Sequence, residues 1–330
     1  MSELRKDPVA GRWVIISVER GKSPADFKIR AHARKGGFCA FCNGNEHTTP
    51  PEIIAFRPDG SKPNSTGWTL RVVPNKFPVL HIGKQLNKTD EGIFEKMDGV
   101  GSEEIIIESP DHNLTLLTMP LKSVEDILRV FHLRISELKK DNRLEHVLIF
   151  KNEGEIAGST LEHSHSQLIA LPVIPILIQK EIHNARQYYR NKEQCVFCDI
   201  IRQETADRTR LISENESYIS FAPFASSSPF ETWILPKSHE SSFAANGNFS
   251  LLAQILQKTL RQIEKILNLP PYNMMIHTSP LRDELNKYYH WHIEIKPKLT
   301  RNAGFEWGSG LYINPVPPEK AAKFMRETGI

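Results

Sequence analysis

One set of chemistry-bearing residues is written twice along this chain. Cys39, Cys42, His112 and the pair His163 and His165 are followed by Cys195, Cys198, His239 and the pair His290 and His292. His239 lies 127 positions after His112, and His290 and His292 lie 127 after His163 and His165. Only the cysteine pairs break this register, being 156 positions apart, so the first pair stands 29 residues further from its histidine. Two thiolates and two imidazoles complete a tetrahedral zinc site, and a two-residue gap inside each cysteine pair suits the tight turn such sites use. The expectation is two closed zinc sites, one in each half of the chain. Disulfides or a redox thiol pair would also use Cys-x-x-Cys, but neither accounts for histidines at matching offsets.

With 330 residues, 39% of them hydrophobic, the chain is long enough for about two domains. The duplicated pattern divides it into residues 1–186 and 187–330. A formal net charge of +3 is too small to call for nucleic acid. Residues 1–7 lead into no apolar run of the kind a signal peptide needs. The most apolar stretch, 168–178, is shorter than a membrane span and is interrupted by Pro172 and Pro175. These features predict a cytoplasmic protein with neither a membrane nor a nucleic-acid partner.

The same register carries secondary structure. Ser123, followed by Glu125 and Asp126, reads as a helix N-cap with acidic residues in the first turn. Ile127, Leu128, Phe131, Ile135 and Leu138 then share one helical face. Ser250, 127 positions later, opens a similar stretch with Leu252, Ile255, Leu256, Leu260, Ile263 and Ile266 on one face. A short apolar strand follows each helix, over 146–150 and 273–276, and each half then reaches its His-x-His. Residues 187–194 are polar and helix-like and read as the connection. The fold class expected is α+β, with an antiparallel sheet, a long helix and a zinc site in each half.

The halves differ two positions beyond the second histidine. His163, His165 and Gln167 alternate with Ser164 and Ser166, so an extended strand sends all three from one face at spacings of about 6 to 7 Å. One end of that row can hold zinc while the next histidine meets a substrate and Gln167 donates to an anionic oxygen. The second half has Glu294 at this position, and a carboxylate there would repel a phosphate. One reactive site, in the first half, is therefore expected. Before it, Asn152, Gly154, Gly158, Ser159 and Thr160 form a polar, glycine-punctuated turn that could cradle a diphosphate or simply cap nearby backbone.

The run from Asn152 through Gly158, Ser159 and Thr160 to His163, His165 and Gln167 resembles the active-site segment of galactose-1-phosphate uridylyltransferases, the transferase branch of the histidine-triad superfamily. The resemblance extends over nearly the whole chain. It takes in Asp7-Pro8, Trp13-Val14, Arg20, the Cys39/Cys42 pair, Pro74 to Pro78, Ser109 to His112, Pro229 to Trp233, His239 and Gly304 to Glu306. Ser164 stands where the family usually has proline, Ser159-Thr160 where Cys-Ser is common, and Lys76 where Asp is frequent. The His-Ser-His-Ser-Gln form and the segment Gly310 to Pro315 also resemble the branch containing ADP-glucose phosphorylase.

The resemblance implies two histidine-triad-like repeats and a covalent mechanism. Neutral His165 would attack the α-phosphorus of a nucleotide sugar and pass the nucleotidyl group to a second sugar 1-phosphate, with Gln167, Ser159 and Thr160 stabilising charge on the phosphates. Exchange of UMP between UDP-glucose and galactose 1-phosphate is the leading expectation; adenylyl transfer to phosphate, or a non-catalytic zinc-stabilised binding protein, are the alternatives. Cys39, Cys42, His112 and His163 would hold one Zn2+ and Cys195, Cys198, His239 and His290 a second. Some members bind iron through Glu and His ligands at the second site, and Glu181 and His277 could be a remnant of that arrangement. Arg20, Asn75, Asn152 and Gly158 would contact nucleotide or phosphate. Glu306 would reach the hexose across the interface of a homodimer.

Overall fold

A computed structural model describes residues 1–17, 19, 21–27, 36–283 and 285–330. The first half contains β1 (Glu3–Lys6), β2 (Trp13–Ile16), β3 (Ile54–Phe56), β4 (Leu70–Pro74), β5 (Lys88–Glu91), β6 (Phe94–Met97), β7 (Ser102–Ile107), α1 (Leu121–Leu138), β8 (His146–Glu153) and β9 (His165–Leu171). Helices α2 (Ile176–Lys192) and α3 (Val196–Asp207) lead into β10 (Leu211–Glu214), β11 (Tyr218–Phe221), β12 (Thr232–Pro236), α4 (Phe249–Leu267), β13 (Tyr272–His277) and β14 (His292–Pro297). The chain closes with α5 (Gly304–Ser309), β15 (Tyr312–Asn314) and α6 (Pro318–Arg326).

The two halves share one sheet. Ten strands follow the order β10-β11-β12-β14-β13-β8-β9-β7-β4-β3, with the halves meeting where β8 pairs antiparallel with β13. Strands β9 and β14 begin 127 positions apart, so the offset between the histidine pairs is also an offset between strands. All neighbours in this sheet are antiparallel. A mixed α+β architecture results. Smaller pieces flank it: β1-β2-β15, in which β2 and β15 run parallel, and the β5-β6 hairpin.

Helices α1 and α4 pack together over one sheet face. Val147, Ile149, Leu168 and Ala170 of the first half, and Met274, Ile276, Ile293 and Ile295 of the second, join Ile127, Phe131, Leu256 and Leu260 in a single core. Each such large apolar side chain contributes about 1.5–3 kcal/mol through removal from water. The expected helical faces over Ile127 to Leu138 and Leu252 to Ile263 are buried there, with Ile266 packed at the margin. On the opposite sheet face, α2 and α3 cover the second half through Ile178, Ile182, Val196, Phe197, Trp233 and Leu235.

Two helix starts differ from the sequence reading. The first helix opens after Pro120, whose extended backbone sets the boundary and leaves Ser123 inside the first turn. The fourth is capped by Asn248, whose side chain accepts from the Leu251 amide, so Ser250 again falls inside. The polar segment 187–194 is mainly the last turns of α2, which starts directly after Pro175. The 186/187 division falls within that helix. No helix among the described residues is long and apolar enough to cross a membrane.

Candidate functional site

The two Cys-x-x-Cys pairs each meet their histidines in space. Cys39 and Cys42 Sγ both lie 3.6 Å from His163 Nδ1, and Cys42 Sγ lies 3.4 Å from His112 Nδ1. With metal–sulfur and metal–nitrogen bonds of about 2.3 and 2.0 Å, a tetrahedron has sulfur–nitrogen edges of about 3.5 Å. The donor set fits a metal of that kind. His163 donates its Nε2 proton to the Ser109 carbonyl at 2.7 Å, which turns Nδ1 toward the thiolates. Burial holds the His163 pKa down to about 4, keeping the ring neutral as a ligand must be.

In the second half Cys198 Sγ stands 3.5 Å from His239 Nδ1, and Cys195 and Cys198 Sγ each 3.9 Å from His290 Nδ1. Four potential ligands again converge. His290 Nε2 approaches the Ser238 carbonyl at 2.8 Å, repeating the orientation seen at His163. A third group, Glu181, His277 and His292, lies beside this site. There His277 Nδ1 is 3.1 Å from Glu181 and its Nε2 3.4 Å from Glu294, while its ring stacks on His292 at 4.4 Å. Burial opposes a charge on His277, but the two carboxylates prevail and raise its pKa to about 10. His277 is thereby paired with two carboxylates, whereas among the described residues His292 Nε2 is buried without a hydrogen-bond partner.

His165 begins β9, just beyond the first cysteine–histidine group. Its Nδ1 donates to the His163 carbonyl at 2.8 Å, leaving Nε2 as the lone-pair nitrogen. The ring packs edge-on against Phe41 at 5.5 Å. Burial, reinforced by the Lys151 ammonium, lowers its pKa and keeps the imidazole neutral. A neutral ring with one nitrogen hydrogen-bonded and the other unprotonated is equipped for nucleophilic attack.

Asn152, Gly158, Ser159, Thr160, His163 and His165 line one cavity of about 920 Å³. Gly154 and Gly158 turn the loop at φ +85° and +97°, and a Cβ on Gly154 would press on Pro271 at 3.1 Å. Ser159 donates to the Leu161 carbonyl at 2.7 Å. The loop also leans on the second half: Asn273 Nδ2 donates to Asn152 Oδ1 at 2.7 Å and to the Ala157 carbonyl at 2.8 Å. Gln167, half-buried, lies further along β9 outside this lining. Asn75 donates to Glu103 at 2.9 Å, and Glu306 accepts from the Ala303 amide at the start of α5. Arg20 lies outside the described residues.

The second histidine pair is enclosed differently. His292 is fully buried, with Trp233 at 4.7 Å and Phe197 at 5.4 Å from its ring, and Glu294 is engaged by Lys296 at 2.7 Å. Sequence reasoning missed Asn273, and it missed a buried ion pair between Glu108 and Lys151 behind His165. The signal for the latter was available: Lys151 follows Val147 and Ile149 on the inward register of its strand.

Residues 1–175 match the galactose-1-phosphate uridyl transferase N-terminal domain, and residues 181–307 match the C-terminal domain of the same family. The chain belongs to that family. Family members are nucleotidyltransferases. Among its relatives, an ADP-glucose phosphorylase from Arabidopsis thaliana is 39% identical, over 99% of this chain and 93% of that one. A galactose-1-phosphate uridylyltransferase from Thermotoga maritima is 28% identical, over 100% and 99%. The crystal structure of an Arabidopsis thaliana ADP-glucose phosphorylase with bound ADP-glucose superposes with a TM-score of 0.84 at 36% identity, covering 100% of both chains. The galactose-1-phosphate uridyl transferase family thus includes both chemistries that the sequence resemblance raised.

Proposed function

We propose that this protein transfers a nucleotidyl group from a nucleotide sugar through a covalent intermediate on His165, with ADP-glucose as donor and phosphate as acceptor. The observation that supports nucleophilic chemistry is the His165 hydrogen bond to the His163 carbonyl, which leaves Nε2 unprotonated. The donor assignment is favoured by 39% identity to an ADP-glucose phosphorylase against 28% to a uridylyltransferase, each over nearly the whole chain. Exchange of UMP between UDP-glucose and galactose 1-phosphate is the second reading, favoured by the family match itself.

In the proposed reaction Nε2 bonds to the α-phosphorus as the bond to glucose 1-phosphate breaks, and the sugar phosphate departs as an anion. Nδ1–H remains donated to the His163 carbonyl and disperses the positive charge on the phosphorylated ring. A phosphate oxygen then attacks the same phosphorus, the P–N bond breaks, and ADP leaves with His165 neutral again. The loop from Asn152 to Thr160 and Gln167 would bind the phosphates, so that rate comes mainly from positioning and electrostatics. Cys39, Cys42, His112 and His163 would hold zinc, and Cys195, Cys198, His239 and His290 a second metal. Bound there, the ions would tie loops to strands. We further infer that each half is a histidine-triad-like unit, divided near residue 186. Glu306 is not among the residues lining the cavity of its own chain, which accords with service across a homodimer interface.

Mixing the protein with ADP-glucose or UDP-glucose without acceptor tests this reading. An acid-labile adenylyl adduct, released as ADP when phosphate is added, is expected from ADP-glucose and should vanish in His165→Ala. A uridylyl adduct discharged by galactose 1-phosphate selects the second reading. No adduct from either donor, or one surviving His165→Ala, overturns the proposal.

A further inference from the structure

Behind the strand that carries His165 lies a buried ion pair for which the fold alone gives no reason. The Lys151 ammonium contacts Glu108 at 2.8 Å, Ser164 Oγ at 3.0 Å and the His165 carbonyl at 3.1 Å. Ser164 and Ser166 both donate to the Glu108 carboxylate, the latter at 2.6 Å. The Lys151 and Glu108 side chains are 1% and 0% exposed. Burial disfavours charge on each, yet attraction to the partner keeps Glu108 below the usual carboxylate range and Lys151 above the usual amine range.

Withdrawing two charges from water is costly, and well-packed apolar residues often serve stability equally well. The second half supplies that comparison within the same molecule. Ile293, the counterpart of Ser166, pairs with Ile234 and Ile276. By strand register, Glu108, Lys151 and Ser164 correspond to Pro236, Ile276 and Trp291, all buried and uncharged. The half whose histidine is walled in thus has an apolar backing, whereas the half whose histidine opens on the cavity has the ion pair.

We propose that Glu108 and Lys151, with Ser164 and Ser166, are positioning residues for nucleotidyl transfer. They hold the serines on either side of His165 and its own carbonyl from behind, fixing the direction in which Nε2 meets phosphorus. The inference rests on the reading of His165 as nucleophile. Misplacement of about 1 Å can cost 10²-fold in rate, so a clamp on adjoining backbone has a large effect although Glu108, Ser164 and Ser166 lie outside the cavity lining and Lys151 reaches it only at its edge, 1% exposed.

The test measures single-turnover adduct formation and donor affinity in the full-length, metal-replete protein. Glu108→Gln/Lys151→Met removes both charges together, leaving no lone buried ion, and Ser164→Ala/Ser166→Ala leaves the ion pair in place should the first variant not fold. Adduct formation should slow about 100-fold in the first and about tenfold in the second, with donor dissociation constants within about threefold of wild type. Ile149→Val, a core change in the same strand, controls for stability and should leave the rate unchanged. A wild-type rate in either serine-free or charge-free variant, or equal slowing in Ile149→Val, overturns the positioning role. Failure of the unaltered protein to form any adduct defeats the nucleophile assignment instead, so the two outcomes are distinct.

Discussion

Gln167 and Glu294 lie on a single row of directly paired strand positions, with Phe150 and Met275 between them. Directly paired residues share a sheet face, so both side chains leave the same surface, about 14 Å apart at the usual strand spacing. The row crosses the junction of β8 with β13, and the two halves diverge on either side of it. Glu294 is bound to Lys296 of β14 and His277 of β13, whereas Gln167 at the corresponding position is an uncharged amide. One surface therefore presents an amide at one end and a neutralised carboxylate at the other.

Replacing Gln167 with Glu tests the consequence of that difference. Two unit charges 4 Å apart at an effective dielectric of about 20 repel by roughly 4 kcal/mol, an upper guide for a partly solvated site. Adduct formation in Gln167→Glu should fall by at least about 100-fold, whereas His292→Asn should lower stability and still form an adduct on His165. Normal yield from Gln167→Glu would assign that residue another role.

Metal content offers an independent check. Carefully prepared protein should contain two equivalents of metal per chain, and chelation should lower the unfolding temperature, because binding free energy at such sites is folding free energy. Cys42→Ser and Cys198→Ser should each remove one equivalent. Fewer than two equivalents in the unaltered protein would refute the two-site assignment.

Periodicity and spacing made the helices, the central strands and both cysteine–histidine groups legible, because each depends on residues at fixed separations. His112 and His163 had to meet Cys39 and Cys42 for the repeated register to have a structural meaning, and they do. Helix starts were less legible: Ser123 is a good cap by residue type, but Pro120 fixes the boundary three residues earlier. The joining of both halves in one sheet was hidden, since β8 and β13 are 119 residues apart and nothing local announces their pairing. For the same reason Asn273 gave no sign that it supports Asn152.

Acid stability should report on an ion-pair cluster that contains none of the metal-group residues. Glu52 accepts from Arg57 at 2.7 Å and from Arg71 at 3.0 Å. Burial opposes its charge, but these hydrogen bonds prevail and depress its pKa in the folded state. A depressed carboxylate contributes stability above its unfolded value, near 4.3, and loses that contribution as pH falls through the lower folded value. Glu52→Gln should destabilise by about 1–3 kcal/mol at pH 7 by leaving buried donors poorly paired. Its unfolding temperature should also vary less than wild type between pH 5 and 3; parallel profiles would exclude Glu52 from the acid response.

The support given to Asn152 by Asn273 predicts communication between halves without any movement. Asn273 belongs to β13 of the second half, yet its amide joins Asn152 and the Ala157 carbonyl, two points on the loop beside His165. Asn273→Ala removes both bonds and leaves the nucleophile, its tautomer and the Cys39/Cys42 group intact. Each hydrogen bond is worth about 1 kcal/mol net, so the loop should lose order and donor binding should weaken by roughly tenfold or slightly more. Metal content should remain at two equivalents, and the rate from saturating donor should change less than the affinity. Unaltered donor affinity in Asn273→Ala would show that the loop holds its shape through Gly154 and Gly158 alone.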